Sequence, residues 1–220
     1  MKIGIIGAGN VGGTLGRILT EKGHEIVFGV RDPQSSKVQA AVDSTGEKAL
    51  AASVQKAANH GEVFILATPW NATQEALAKP SKRIASAGDL TGKIIIDATN
   101  PIEMTPAGLA AGLTIGYTTS AAEEIAQWAP EALIVKAFNN IGASCFENLQ
   151  FGSQTATAFI CGDDVEAKKI VTNVAQDIGF EVIDAGDLKQ ARLLEPLGML
   201  WIHLAYSGMG QDFSINLIKR

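Results

Sequence analysis

Six residues near the N-terminus, Gly7-Ala8-Gly9-Asn10-Val11-Gly12, narrow the possible folds more than any other part of the chain. They form a complete G-x-G-x-x-G. An apolar, β-branched run (Lys2-Ile3-Gly4-Ile5-Ile6) stands directly before them, and a helical pattern from about Val11 to Lys22 follows. A second apolar run, Glu25 to Val30, closes a βαβ unit of about thirty residues; that context separates a dinucleotide fingerprint from a chance glycine cluster. Gly7 permits the tight turn, Gly9 lets the backbone approach a pyrophosphate, and Gly12 lets helix and strand pack closely. The helix start offers unpaired N–H groups and a positive dipole end to phosphate.

The alternation continues. A helix is predicted over about Ser35 to Asp43, a weak strand near Lys48 to Ala51 with a helix after it, and strands over Val63–Ala67, Lys93–Asp97 and Leu133–Phe138. These runs are continuously apolar, as strands buried on both faces of a helix-covered parallel sheet are. After about Asn140 come a strand (Thr155–Cys161), a helix (Val165–Ile178), a strand (Phe180–Asp184) and a long apolar helix (Leu188–Tyr206). Asn71, Ser120, Asp163 and Asp187 each stand three residues before Glu or Gln, the spacing of a capping box. Ile102 to Thr119, with Pro106, Gly108, Gly112 and Gly116, has no clear period and reads as a long irregular loop of the kind that often carries function. The fold class is α/β: a Rossmann, doubly wound, mainly parallel sheet with a small C-terminal α/β extension.

Composition excludes several functions. The chain's 220 residues fit one large domain, with or without a small appendage. A net charge of −5 and the absence of any Lys/Arg-rich run argue against nucleic-acid binding. The longest apolar stretch, Leu197 to Tyr206, is about half of the ~20 residues a membrane span needs. The N-terminus lacks the apolar core and cleavage site of a signal peptide. Cys145 and Cys161 have neither metal-ligand spacing nor a disulfide framework. A cytoplasmic protein bound to neither membrane nor nucleic acid is expected.

The end of the second strand decides between NAD and NADP. It reads Phe28-Gly29-Val30-Arg31-Asp32. Asp32 could accept the ribose hydroxyls of NAD, and Arg31 could bind a 2′-phosphate. Ser35, Ser36 and Lys37 add hydroxyls and a second cation, which favours Arg31, with Ser36 as helper. Three further loops follow strand ends: Ala67-Thr68-Pro69-Trp70, Asp97-Ala98-Thr99-Asn100-Pro101 and Phe138-Asn139-Asn140-Ile141-Gly142. In a doubly wound sheet all of them emerge at the carboxyl edge, where ligands bind. Thr68, Asn100 and Asn139 would point into one crevice, stiffened by Pro69 and Pro101.

Lys136, inside an apolar strand, reads as snorkelling or paired with an acid, or else as a functional lysine. His203 reads as a hydrogen-bonded core or interface histidine. Arg192 and Glu195 are one turn apart, the spacing of a local ion pair. Leu193, Leu194, Leu197, Leu200 and Leu204 form a stripe fit for core or dimer interface. No nucleophile set or zinc spacing stands out and no catalytic residue can be named. Hydride transfer between two bound cofactors has little need of one, because positioning does most of the work.

With these motifs in view, the chain resembles the family of NADP oxidoreductases dependent on the deazaflavin coenzyme F420. The resemblance rests on Gly7–Gly12, Gly29-Val30-Arg31, Ala67-Thr68-Pro69-Trp70 and Val135-Lys136-Ala137-Phe138-Asn139, with Ala191-Arg192-Leu193-Leu194-Glu195-Pro196-Leu197 similar to the bacterial branch. It implies NADP(H) in the N-terminal domain with Arg31 on the 2′-phosphate, Ala67 to Trp70 by the nicotinamide, and a second cofactor stacked there. The reductase domain of the six-transmembrane metalloreductases, which passes electrons from NADPH to flavin, is similar around Lys136-Ala137-Phe138-Asn139. The loop Asp97–Pro101 and the glycine-rich segment after it depart from the archaeal deazaflavin enzymes.

The sequence thus leads to an NADP(H)-dependent oxidoreductase that transfers hydride to or from F420 or a flavin-like acceptor. Residues 1–140 would form the NADP-binding domain, and 141–220 an α/β part completing the acceptor crevice. Gly7, Ala8, Gly9, Asn10, Val11 and Gly12 would hold the pyrophosphate, and Arg31 and Ser36 the 2′-phosphate. Ala67, Thr68, Pro69, Trp70, Asn100, Pro101 and Asn139 would line the nicotinamide end. Two alternatives stand beside this: a reductase of a small carbonyl or imine with Lys136 or His203 as proton donor, and a non-catalytic NADP(H) sensor. A homodimer is expected from the apolar C-terminal helix and the resemblance.

Overall fold

The structure, a computed structural model, describes residues 1–46, 48–77, 89–104, 110–218 and 220. The first βαβ unit consists of β1 (Lys2–Ile6), α1 (Asn10–Glu21) and β2 (Glu25–Gly29). Then come α2 (Ser36–Thr45), β3 (Ala49–Ala52), α3 (Val54–His60), β4 (Val63–Leu66), α4 (Trp70–Leu77) and β5 (Ile94–Asp97). A hairpin of β6 (Ile102–Met104) and β7 (Ala110–Leu113) precedes α5 (Ala121–Trp128) and β8 (Leu133–Lys136). A minimal hairpin, β9 (Gln150–Phe151) and β10 (Gln154–Thr155), leads into β11 (Thr157–Gly162), α6 (Val165–Ile178), β12 (Glu181–Asp184) and α7 (Ala191–Leu204).

Eight strands form the main sheet in the order β12-β11-β8-β5-β4-β1-β2-β3. All neighbours are parallel except β11 and β8, which pair antiparallel through Cys161↔Lys136 and Gly162↔Val135. The C-terminal strands therefore extend the sheet. Strand order reverses between β1 and β4, which pair in register from Ile3↔Val63 to Ile6↔Leu66. There the chain leaves β1 toward one side and β4 toward the other, opening a crevice at their carboxyl ends.

The period of two along each strand divides the core into two layers. Ile3, Ile5, Ile65 and Ile96 face one side, under Leu15 and Leu19 of α1 and Val171 and Val174 of α6. Ile6, Phe64, Leu66 and Ile95 face the other, under Val54 of α3, Leu77 of α4, Ile125 of α5 and Leu194 of α7. Burial on both faces explains the unbroken apolar runs.

Several local expectations are corrected. The segment read as an irregular loop holds the β6–β7 hairpin, paired Ile102↔Leu113 and Glu103↔Gly112 with a bulge after Glu103. β6 has only three residues, and the Ala- and Gly-rich β7 carries little β propensity; Pro106 and Gly108 lie outside the described residues. Strand β8 stops at Lys136, short of Phe138. Phe138 has a φ of 65° and is buried against Phe146 and Phe180, at centroid distances of 6.2 and 5.8 Å. A bulky residue holds this left-handed backbone only where packing imposes it. The last helix opens with a 3₁₀ turn (Leu188–Gln190) and ends in a π-type turn from Ala205.

Ser120 caps α5 as expected, its Oγ accepting the Glu123 N–H. Helix α6 is capped by Asp164, while Asp163 accepts the N–H of Leu188. Asn71 lies inside α4. Asp187 makes no cap bond and accepts from the Gln190 side chain instead. Sequence spacing cannot choose between adjacent aspartates; the Leu188 contact does.

Gly12 marks the tightest point between α1 and the sheet: a Cβ there would stand 2.1 Å from the Gly7 carbonyl oxygen. Gly12→Ala should lower stability by about 1–3 kcal/mol, because α1 must move off β1 to admit the methyl. Urea unfolding followed by circular dichroism measures this.

Candidate functional site

The site grows from two turns at the crevice. After β1 the backbone reverses at Gly7, whose φ is 105° and whose N–H donates to the Gly29 carbonyl at 3.0 Å. A Cβ on Gly7 would meet the Ala67 carbonyl oxygen at 2.6 Å, so the turns after β1 and β4 are pressed together. Gly9 differs. It occupies the N-cap of α1 with an ordinary φ of −81°, makes no side-chain cap, and a Cβ there would meet nothing within 4 Å. The protein has room for a side chain at Gly9 and does not fill it. The first N–H groups of α1 open toward that space, as an anion site requires.

Two cavities lie end to end along the carboxyl edge, and Gly9, Thr68 and Pro69 line both. The first, of about 340 Å³, runs over Gly7 and Ala8 to Arg31, Asp32, Ser35 and Lys37, with Val38, Val54 and Ala72 as apolar walls. Asp32 is engaged in shaping its loop: its Oδ1 accepts the Gln34 N–H at 3.0 Å. Arg31 is exposed, and among the described residues no carboxylate pairs with it.

The second cavity, of about 800 Å³, is lined by Asn10, Val11, Ala67, Trp70, Asn100 and the β6 residues Ile102 and Glu103, among others. Trp70 stacks on Trp128 at 5.3 Å, which fixes that wall. Thr68 is held by Thr73, hydroxyl to hydroxyl at 2.9 Å. Asn100 donates to the Asn139 carbonyl at 2.8 Å, and Asn139 donates back to Asn100 Oδ1 at 3.0 Å and to the Leu194 carbonyl at 2.8 Å. Helix α7 meets this pair at Gly198, where a Cβ would come within 2.7 Å of Asn100 Oδ1 and of the Asn139 carbonyl oxygen.

Of the residues singled out from sequence, Gly7, Ala8, Gly9 and Arg31 line the first cavity. Asn10, Val11, Ala67, Thr68, Pro69, Trp70 and Asn100 line the second. Gly12, Ser36, Pro101 and Asn139 line neither; Asn139 is buried behind Asn100, and Ser35 and Lys37 face the first cavity on either side of Ser36. Sequence reasoning did not select Ala72, Glu103 or Thr114. Helical spacing from Pro69 was the signal for Ala72, whereas the hairpin that brings Glu103 and Thr114 in had no periodic signature.

Beneath the loop after β5 lies a sealed ionic cluster. Lys136 is fully buried, and its Nζ reaches Asp97 Oδ2 at 2.8 Å, the Thr99 carbonyl at 2.6 Å and Glu195 Oε1 at 3.0 Å. Burial pushes the lysine pKa down; Asp97 and Glu195 outweigh it and hold the group above its ordinary value. Asp97 Oδ1 also accepts the N–H and hydroxyl of Thr99. Glu195 accepts the N–H groups of Ala121 and Ala122, so the second carboxylate sits on the positive end of α5. Lys136 is thus the paired lysine rather than the snorkelling one.

Two expectations are overturned nearby. Arg192 does not pair with Glu195; it forms a two-point contact with Glu123, at 2.9 and 2.6 Å, which draws the Glu123 carboxyl below its usual range. His203 is exposed, and of the leucine stripe Leu193 and Leu200 are exposed while Leu194 is buried. Burial pushes the Cys161 thiol up to about 12 and raises Cys145, so neither is a thiolate at neutral pH. Among the described residues no group of three or more His, Cys, Asp or Glu could hold a metal ion, and no helix is long and apolar enough to cross a membrane.

Comparison with known proteins gives this geometry a family. A family model described as NADP oxidoreductase, coenzyme F420-dependent, matches residues 2–101. The F420-dependent NADP reductase of Methanothermobacter marburgensis is 31% identical over 213 residues, covering 93% of this chain and 92% of its own. The chain belongs to this family. The reductase of Methanocaldococcus jannaschii is 27% identical over the full length of both chains. A solved structure from Arthrobacter sp. FB24, provisionally described as an F420-dependent NADP-reductase, superposes with a TM-score of 0.87 at 29% identity, over 100% of both chains. The metalloreductase STEAP3 of Rattus norvegicus is 30% identical, with only 37% of its length covered. A reductive aminase of Aspergillus terreus shares the fold, at 19% identity and a TM-score of 0.64.

In this member of the family, the cost of the ionic cluster is testable. Lys136→Met would leave two carboxylates buried without their cation, which costs about 3–5 kcal/mol. Adding Glu195→Gln should recover part of that loss, as read by chemical denaturation of the single and double variants.

Proposed function

We propose that this NADP-dependent oxidoreductase lays the dinucleotide along the two joined cavities and passes hydride to or from a deazaflavin (F420) or flavin-like acceptor in the second. The observation that carries the reading is the distribution of charge: cations gather at one end of the groove, and a roomy cavity with a tryptophan wall stands at the other. NADP(H) supplies a nicotinamide that gives or takes hydride, and the residues present suit it. The unfilled space at Gly9 and the open N–H groups of α1 accommodate a pyrophosphate. Arg31 would hold the 2′-phosphate, helped by Lys37 and Ser35, the cavity-facing neighbours of Ser36. Thr68, Pro69 and Trp70 would flank the nicotinamide, and Asn100, braced by Asn139, would face the acceptor ring. The chain's work is then positioning and exclusion of water, with no protein group required to carry a proton at the hydride step.

The reading as a carbonyl or imine reductase loses support from its own candidates. Lys136 spends its donors on Asp97, Thr99 and Glu195, and His203 is exposed on α7 and lines neither cavity. A homodimer through the exposed Leu193 and Leu200 face of α7, and a reducing, cytoplasmic setting in keeping with two free cysteines, complete the proposal.

NADPH oxidation at 340 nm, run in parallel with F420, FMN, FAD and no acceptor, tests the reaction; turnover with a deazaflavin or flavin is expected, and none with any of them overturns it. Two variants test the donor site by titration of cofactor fluorescence. Arg31→Ala should weaken NADPH about ten- to hundredfold, the worth of a charge-assisted hydrogen bond of roughly 1.5–3 kcal/mol, and leave NADH affinity nearly unchanged. Gly9→Ala should weaken both dinucleotides while the melting temperature stays within a degree or so of wild type, because its methyl meets nothing in the empty protein.

A further inference from the structure

The first cavity holds one charged group that a phosphate gives no reason for. Among the described residues, four ionisable side chains line it: Arg31, Asp32, Lys37 and Glu75. The two cations suit a phosphate. Asp32 is engaged within its own loop, where its Oδ1 accepts the Gln34 N–H. Glu75 has no such engagement: it is exposed, and among the described residues it makes no ion pair. A free carboxylate on the wall of an anion-binding groove weakens the binding of a polyanion, unless the ligand brings it a hydrogen-bond donor.

Helix α4 fixes where that carboxylate stands. Ala72, Glu75 and Ala76 are three and four residues apart, so they share one face of the helix, and all three line the cavity. With Val54 of α3 and Val38 of α2, the two alanines make small apolar walls that suit a flat aromatic ring. Glu75 is the one polar side chain that α4 adds to the described lining. The cations come from elsewhere: Arg31 follows β2, and Lys37 lies in the first turn of α2. A ligand with phosphate at the cations and an aromatic ring against α4 therefore presents the ring to Glu75. The adenosine half of NADP(H) has two kinds of donor. Its free ribose hydroxyl adjoins the 2′-phosphate and goes with it to the cations; the 6-amino group belongs to the ring.

We propose that Glu75 is a specificity-determining residue that reads the base of the dinucleotide: its carboxylate accepts from the 6-amino group of adenine and rejects a purine with a 6-oxo group. This rests on the placing of the dinucleotide in the first cavity, and it is independent of which acceptor takes the hydride. Adenine brings two N–H donors to the carboxylate. Hypoxanthine brings a carbonyl oxygen to the same place, and two acceptors facing each other repel. A hydrogen bond to a charged acceptor is worth about tenfold or more in affinity when shielded; Glu75 is exposed, so about three- to tenfold is expected. Arg31 and Glu75 then divide the recognition of the adenosine half, the first selecting the phosphate and the second the base.

The experiment titrates the protein with NADPH, with its hypoxanthine analogue (deamino-NADPH) and with NADH, following the fluorescence of the dihydronicotinamide. Wild-type protein should bind NADPH about three- to tenfold more tightly than deamino-NADPH. Glu75→Gln, which can donate as well as accept, should bring that ratio near one, and Glu75→Lys, which can only donate, should reverse it. The wild-type ratio is read without any variant, so it stands even if one folds poorly. Equal affinity of wild-type protein for the two bases overturns the proposal and leaves the dinucleotide reading intact. So does a Glu75→Gln variant that changes the preference for NADPH over NADH and keeps the wild-type base ratio, because Glu75 then acts on the phosphate through the cations. No binding of NADPH to wild-type protein overturns both readings.

Discussion

One lysine, sealed from water, organises the floor of the second cavity. From β8, Lys136 closes a cluster in which β5, the loop after β5 and helix α7 each contribute a partner. A buried cation among apolar strands is unfavourable by itself, and its partners must be in place for the fold to be stable. The same contacts set the path of Thr99 and bring α7 over the crevice. Glu195 extends the chain of interactions to α5, where its carboxylate replaces water on two open N–H groups. The result is a rigid floor under a cavity whose walls are themselves held by the Trp70–Trp128 stack and the Asn100–Asn139 pair.

The first cavity is built on another principle. There the close approach of two backbones, Gly7 against Ala67 and Gly12 against Gly7, shapes a turn that leaves N–H groups facing outward. Little charge is stored in the turn itself. The side chains that carry charge, Arg31 and Lys37, are exposed and free to adapt to a ligand. A tight backbone turn with exposed cations at one end, and a buried ionic floor under a largely uncharged wall at the other, make the groove chemically polar along its length.

Much of this was legible in the sequence. The G-x-G-x-x-G turn, the parallel strands and helix α6 follow from local pattern, because burial on both faces leaves an unbroken apolar run. The loops at strand ends were legible too, since the topology of a doubly wound sheet brings them to one edge. What was hidden depends on distance in sequence. Nothing near Lys136 announces Asp97 or Glu195 as partners, and nothing near Arg192 announces Glu123; local spacing suggested Glu195 instead. The β6–β7 hairpin was hidden because its strands are short and β7 is rich in residues with no strand preference. Ser36 and Pro101 were selected by adjacency to residues that do face the cavities, an error of one position that only side-chain direction resolves.

Gly198 has a consequence for the mounting of α7. The helix meets Asn100 and the turn after Phe138 at the one point where it has no side chain, and there is no space for a methyl group. Turning α7 by one residue would bring Leu197 or Met199 into that notch and lift the helix away. Gly198 therefore works as an index mark, fixing the rotation and the height of α7 together. Change in this part of the protein is free to alter the outer face of α7, through Leu193 and Leu200, without disturbing how the helix is seated. The exposed outer face of the helix and the seat that shapes the crevice can drift independently.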